Sequence, residues 1–572
     1  MTTHDLVIRA GTLIDGSGKD SVTGDLAIDG GRITAVGKVS GRGHRELDAD
    51  GLLVTPGWVD IHTHYDGQAA WDSRLTPSSE HGVTTAVMGN CGVGFAPCKP
   101  QDRNQLISLM EGVEDIPNPV LAEGLPWDWE SFEDYLSALD HRPHDIDFGC
   151  QLPHGALRVF VMGHRGAERQ LATDDDIRQM AQLTEQAMRA GALGFSTSRT
   201  LNHQTADGDP TPSYDCEERE LVAIAMALKN AGAGVLQMVS DFTDGRRERE
   251  LLRNMITESG RPMIFSLAQP MAAPKAWESQ LRWIESENAR GVNIKAMVCG
   301  RPVGVLLGLN ATMNPFSLNP VYQTIASLPL ASRVQQLKDP GFKARVLEAE
   351  SGSATNVFNA LIANYNYMFE LGDDPDYEQP AAATLAARAK REGRTPQDIA
   401  YDLLLNDGGE ALLYTPFLNY ADYDLDACHQ MMLHPHTVLG LGDGGAHVGM
   451  ICDGSFPTSM LTHWTRDRTR GEKLSLPWVV AAQSRHTALA YGLADRGLLQ
   501  PGYKADVNLI DYDRLRLTHP RMRADLPAGG KRLVQQAEGY VATIVAGEII
   551  QEQGEATEAR PGKLVRGAQA IA

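Results

Sequence analysis

The chain has 572 residues, 42% of them hydrophobic and 22% charged, which suits a globular protein with one large α/β barrel and a smaller domain. Its 52 basic and 73 acidic side chains give a formal charge of −21; that balance repels phosphate backbones and anionic lipids, and argues against nucleic acid or a membrane as partner. The seven cysteines are odd in number and scattered, which points away from a disulfide scaffold and toward a reducing compartment.

The N-terminus lacks a basic start followed by an apolar run, and no stretch reaches about 18 uninterrupted apolar residues, so a cytoplasmic protein is expected. The first 55 residues read as short strands and tight turns, with Leu6-Val7-Ile8-Arg9, Thr12-Leu13-Ile14 and Leu26-Ala27-Ile28 separated by Gly and Asp-Gly. The middle alternates strands and helices. Val83 to Met88 is a strand; Asp174 to Ala192 is an amphipathic helix leading to the strand at Gly194-Phe195-Ser196. Glu217 to Ala231 and Gln280 to Arg290 are further helices, each followed by a strand, at 234–239 and 292–298. Such a series implies parallel βα units closing into a barrel. Val438 to Leu441 would be the last barrel strand, after a large insertion at about 310–435 that includes a helix from Thr395 to Leu405. The C-terminal stretch is β-rich again, at 505–510 and 540–545. The expected fold is a distorted (β/α)8 barrel over 56–494, with a small β-sandwich domain assembled from 1–55 and 495–572.

The chemistry concentrates in three places. In Val59-Asp60-Ile61-His62-Thr63-His64, residues i and i+2 of a strand face one way. At the C-terminal end of a barrel strand that face is the mouth, where active sites sit, and two imidazoles there suit a divalent ion such as zinc. Cys91 closes the next strand, in Met88-Gly89-Asn90-Cys91-Gly92; it is either a soft metal ligand or a buried structural thiol. Asp443, in Gly442-Asp443-Gly444-Gly445, ends the last strand, where a carboxylate can take a proton from water and pass it to a leaving amine. It is otherwise a turn-forming Asp-Gly pair.

These motifs extend to a resemblance over nearly the whole chain. LVIRAGTLIDGSG at the start, VTPGWVDIHTHYD, GVTTAVMGNCG, PHGALR at 153–158, GALGFST at 191–197, GDGG at 442–445 and RGLLQPGYKADVNLID at 496–511 resemble the D-aminoacylase (N-acyl-D-amino-acid deacylase) branch of the amidohydrolase superfamily. The resemblance implies zinc in the barrel mouth, a cysteine ligand at Cys91 and a catalytic aspartate at Asp443.

The chain also departs from that family. The family pattern puts a metal histidine on each of two middle barrel strands, whereas this sequence has none between His203 and His429. The first segment reads Leu236-Gln237-Met238-Val239-Ser240, the second Ile264-Phe265-Ser266-Leu267-Ala268-Gln269. Gln and Ser are poor zinc ligands beside imidazole and thiolate. Three consequences stand open: one metal on His62, His64, Asp443 and Cys91; a ligand supplied by His154 or His447; or a weak, non-catalytic metal site. One firmly bound zinc is expected. Arg301 is a candidate fork for a substrate carboxylate. His154 is a candidate to polarise a carbonyl, and His447 and Ser196 are candidate substrate contacts.

The reading is a metal-dependent hydrolase of a C–N bond in an N-acyl amino acid or related small amide, with Asp443 as general base and acid. A cyclic-amide hydrolase resembling hydantoinases or dihydroorotases is a second reading. It is disfavoured because no lysine stands near the ends of the early strands to serve as a carboxylated bridge. A non-catalytic binding protein on the same scaffold is a third. The expected partner is a small-molecule substrate, and the sequence leaves a homo-oligomer open.

Overall fold

The computed structural model describes residues 3–352 and 357–571. Eight parallel strands form one curled sheet: Trp58–Asp60, Val83–Met88, Asp147–Pro153, Gly194–Arg199, Val235–Ser240, Met263–Ser266, Ile294–Val298 and Thr437–Leu439. Each pairs in parallel with its neighbour in chain order. The first and last strands meet just beyond their ends, where Thr63 bridges Gly444 in parallel. His64 N–H donates to Gly444 O at 2.8 Å, and Asp443 N–H donates to His62 O at 3.0 Å. The barrel therefore closes at its mouth through the two segments that carry the candidate ligands.

Local sequence explains the connecting helices. In Asp174–Ala190, the Thr173 hydroxyl accepts the Asp176 N–H, and the Asp176 carboxylate accepts the Thr173 N–H. That reciprocal cap satisfies two otherwise unpaired donors. Three aspartates in the first turn and Arg189 in the last complement the helix dipole. Gly191, at φ 112°, ends the helix in a left-handed turn that disfavours a side chain.

Two apolar layers hold the barrel. Inside it, Val59, Ile61, Val87, Val235, Ile264, Met297 and Val438 fill the floor beneath the mouth. Outside it, residues such as Leu236, Met238, Phe265 and Val298 pack against the helices. Burying each such side chain contributes about 1.5–3 kcal/mol. The inward and outward sets alternate along each strand, as a period of two requires.

A nine-stranded sheet combines the strands Thr3–Leu13, Val22–Asp29, Arg32–Gly37, Arg42–Asp48 and Leu53–Pro56 with Val507–Ile510, Tyr540–Val545, Glu548–Glu552 and Glu555–Ala556. Both chain ends thus build one sheet-rich domain, with a core that includes Ile8, Leu26, Val54, Val507 and Ile544. The segment before the last barrel strand is more than helices. It holds a three-stranded antiparallel sheet of Val303–Gly308, Phe369–Leu371 and Leu412–Leu418. It also has an apolar core of its own around Leu307, Phe316, Tyr322 and Tyr401. The sheet escapes sequence reading because its strands lie far apart in the chain. No helix among the described residues is long and apolar enough to cross a membrane.

Candidate metal centre

The centre grows from the closure of the barrel. His62 and His64 leave the first strand on one side, both nearly fully buried, with ring centroids 5.3 Å apart. His62 Nδ1 lies 3.2 Å from Met297 Sδ. A thioether only accepts, so Nδ1 carries the proton and the Nε2 lone pair is left facing the mouth. His62 Nε2 is 3.3 Å from Cys91 Sγ and 3.4 Å from Asp443 Oδ1, and His64 Nε2 is 3.8 Å from the same oxygen. Donor atoms of His62, His64 and Cys91 all lie within 4.8 Å of one another.

The backbone at Cys91 and Asp443 is unusual. Cys91 has φ 56° and Asp443 φ 46°, both left-handed, a cost that the surrounding contacts must hold in place. Gly92 and Gly155 provide room around the Cys91 turn, and Gly155 N–H donates to Gly92 O at 2.8 Å. Ser196 clamps the same turn: its hydroxyl donates to Gly89 O and accepts Gly92 N–H. Beside Asp443, a side chain at Gly442 would collide with the Asp60 carboxylate.

Glu114 closes the centre from behind. It is the last residue of the helix Arg103–Glu114 and is 1% exposed. Its Oε1 is 3.0 Å from His64 Nδ1 and its Oε2 is 3.6 Å from His447 Nε2. The His447 N–H donates to the Glu114 carbonyl. Asp115 follows, and its carboxylate accepts the Gly449 N–H at 3.0 Å. The helix end and the loop after Asp443 are thereby joined.

The electrostatics call for a cation. Burial pushes the Cys91 thiol up, aided by Glu114, Asp443 and Asp66. Burial also raises the carboxyls of Glu114 and Asp443, each with help from neighbouring acids. No lysine or arginine contributes to any of these three shifts. Burial and nearby imidazoles hold His62 at about 3 and His64 well below its ordinary value, so both rings are neutral at neutral pH. Asp443 Oδ1, Glu114 Oε2 and His64 Nδ1 are buried without a hydrogen bond that meets ordinary geometry. Two imidazoles, a thiol and a carboxylate are a zinc donor set. His62 Nε2 stands 3.3 Å from Cys91 Sγ and 3.4 Å from Asp443 Oδ1, and His64 Nε2 stands 3.8 Å from the same oxygen, close enough for these groups to reach a shared ion. The residues present fit a divalent metal ion.

Other sequence candidates lie elsewhere. His154 belongs to a second buried group, with Nε2 2.8 Å from Glu220 Oε1 and Nδ1 2.8 Å from Thr197 Oγ1. Cys216 completes that group, but both ring nitrogens of His154 are already engaged. Arg301 has found its carboxylate inside the chain. It pairs with Asp453, donates to Ser455 Oγ at 2.9 Å and stacks 4.1 Å from the Tyr377 ring centroid. Arg301 also lines a cavity of about 360 Å³ with Tyr377, Glu378 and His463.

Sequence reading missed Glu114, Met297 and His203, and read Gln237 only as a poor ligand in the place of a histidine. Gln237 Oε1 accepts the Cys91 N–H at 3.3 Å. His203 lies 3.0 Å from Ser198 Oγ; burial lowers it to about 4, and its charge disfavours protonation of His62, His64 and His447. Only Glu114 carried a signal. An acidic pair, Glu114-Asp115, ends a helix with no basic residue in its last turn, against the dipole. Such a pair has a partner elsewhere.

Comparison with known proteins agrees with this geometry. The Amidohydrolase family model matches residues 45–551. The N-acyl-D-aspartate deacylase of Alcaligenes xylosoxydans xylosoxydans is 28% identical over 99% of this chain and 96% of its own length. The D-aminoacylase of the same organism is 39% identical over 194 residues, which are 34% of this chain and 37% of that protein. Among solved structures, a D-aminoacylase matches with a TM-score of 0.65 at 22% identity, covering 98% of this chain and all of the other. N-acyl-D-glutamate deacylase from Bordetella bronchiseptica matches with a TM-score of 0.63 at 20% identity, covering 99% and 100%. The barrel and the sheet-rich second domain share the fold of these solved structures, and the chain belongs to the amidohydrolase family.

Proposed function

We propose that the chain hydrolyses the linear amide of an N-acyl amino acid or a related small amide, with one zinc ion held by His62, His64, Asp443 and Cys91. The observation that carries this reading is that His62, His64 and Cys91 bring donor atoms within 4.8 Å of one another, with Asp443 Oδ1 3.4 Å from His62 Nε2 and 3.8 Å from His64 Nε2. The Bordetella relative was solved with zinc and a phosphonate mimic of the tetrahedral intermediate. D-aminoacylase is described as having a binuclear centre with one-metal activation and second-metal attenuation. The first supports a zinc reading, and the second supports one ion as sufficient.

A bound zinc ion supplies Lewis acidity to water and to the amide oxygen. The chain's own residues do the rest. His62 and His64 stay neutral and offer lone pairs, because burial disfavours their protonated forms. Asp443 takes a proton as the water oxygen bonds to the carbonyl carbon, then returns it to the nitrogen as the C–N bond breaks. The products are a carboxylic acid and a free amine. Ser196, His154 and Glu220 keep the Cys91 turn and the strand behind it in place. His447 stands at the rim beside Glu114, where it can meet substrate. Residues 1–55 and 495–572 are read as one composite β domain, and 56–494 as the catalytic barrel with its insertion at about 310–435. The seven cysteines, all free and buried, support a reducing, cytoplasmic setting.

The test is a panel of N-acyl-D-amino acids, N-acyl-L-amino acids and hydantoins offered to zinc-loaded protein. Release of free amino acid from at least one acyl compound is expected. Turnover of hydantoins alone would move the assignment to cyclic amides. No turnover, with substoichiometric metal unrescued by zinc, would leave a binding protein.

A further inference from the structure

The two middle strands on which the family carries metal histidines hold Gln237 and Ser266 at their inward-facing ends here. Val235 and Ile264 belong to the apolar floor inside the barrel. Two residues further along each strand, Gln237 and Ser266 share that inward face, with Gln237 level with Ile264 and Ser266 one layer nearer the mouth. The two strands are neighbours, with Gln237 in register with Ile264.

The orientation of the Gln237 amide is fixed. Cys91 N–H donates to it at 3.3 Å. A backbone N–H cannot accept, so the atom facing it is oxygen and the other is the NH2 group. That Nε2 is buried with no partner, and so is Ser266 Oγ. Gln237 itself is 1% exposed. A buried donor left unmade is destabilising unless a ligand completes it. Cys91, which fixes the amide, has its Sγ 3.3 Å from His62 Nε2, so the free donor stands beside the metal ligands.

We propose that Gln237 Nε2 and Ser266 Oγ are substrate-binding donors for the acyl oxygen of the bound amide. They would hold the negative charge that builds on that oxygen as water adds to the carbonyl carbon. Neutral, preorganised dipoles at these two positions then do what a second cation would do by charge. When the tetrahedral species collapses, the electron pair returns to the C–O bond, the C–N bond breaks and the nitrogen takes its proton from Asp443. The two donors keep their own protons throughout. The inference rests on the amide-hydrolase reading above.

Three variants test it with the best N-acyl amino acid of the panel. Gln237→Met keeps the volume and removes the donor. Gln237→Glu keeps an acceptor for Cys91 N–H while removing the donor. Ser266→Ala removes one hydroxyl and spares folding. Both Gln237 variants should lose kcat about 10²-fold, and Ser266→Ala about tenfold, as for other oxyanion donors. KM should move by less than about threefold, because the interaction strengthens as charge develops, and bound zinc should be unchanged. Wild-type kcat in Gln237→Met and Ser266→Ala would overturn the assignment. So would a loss of kcat that follows lost zinc in all three. Absence of wild-type turnover across the panel would instead overturn the hydrolase reading, and this inference with it.

Discussion

Asp443 sits where three demands meet. Its left-handed backbone is permitted by the glycines around it, its Oδ1 faces both imidazoles, and its carboxyl is raised by burial and nearby acids. Asp443→Asn keeps the shape and removes the proton acceptor. Turnover should fall by at least about 10³-fold with the fold intact by circular dichroism; wild-type turnover in the variant would refute the role. Glu114 acts one step behind. Its Oε1 lies 3.0 Å from His64 Nδ1, where a carboxylate can orient a metal-binding imidazole. Glu114→Gln should weaken zinc binding about 10–100-fold in chelator competition. Unchanged zinc affinity would reduce Glu114 to a packing residue. The sequence showed His62, His64 and Asp443 because strand alternation and a glycine-flanked aspartate are local patterns. Glu114 reaches the centre only through tertiary closure, from a position 50 residues beyond His64.

Elements divide along the same line. The helices and strands of the barrel were legible because capping residues and apolar periodicity are written within a dozen residues. The helix expected at 174–192 forms at Asp174–Ala190, and the one expected at 217–231 forms at Glu218–Ala231. The three-stranded sheet in the insertion was not legible, since its partners are separated by about 110 residues. The insertion is fastened to the barrel by Glu378, which takes hydrogen bonds from Arg468 at 3.0 Å and pairs with His463 at 2.8 Å. Burial raises this carboxyl, but the bonds from His463 and Arg468 outweigh it and hold the group at about 2. The folded value lies below the unfolded one. Its contribution is therefore complete above about pH 4.5 and disappears as pH falls toward 2. Glu378→Gln should cost about 2–3 kcal/mol at pH 7, because Arg468 stays buried. The gap from the natural protein should close below pH 4.5 in denaturant titrations. An undiminished gap at pH 2.5 would show that the charge is not its source.

The whole molecule concentrates its polar commitments at two joints. One is the ion network of Asp147, Arg496, Lys504 and Asp506, which ties the third barrel strand to the chain leading into the sheet-rich domain. The other is the mouth, where Cys91 and Glu114 lie buried and Asp443 half-buried, with no lysine or arginine to neutralise them. An acidic chain of charge −21 gives no hint of this from composition, because the need is local. A cation would complete the mouth, and with no histidine between His203 and His429 one ion is expected there. The most direct measurement is zinc stoichiometry of the purified protein, combined with anomalous diffraction at the zinc edge. The result expected is one ion per chain, bound by His62 Nε2, His64 Nε2, Cys91 Sγ and Asp443 Oδ1. Two ions at the mouth, an ion only among His154, Cys216 and Glu220, or no ion after incubation with zinc would contradict it.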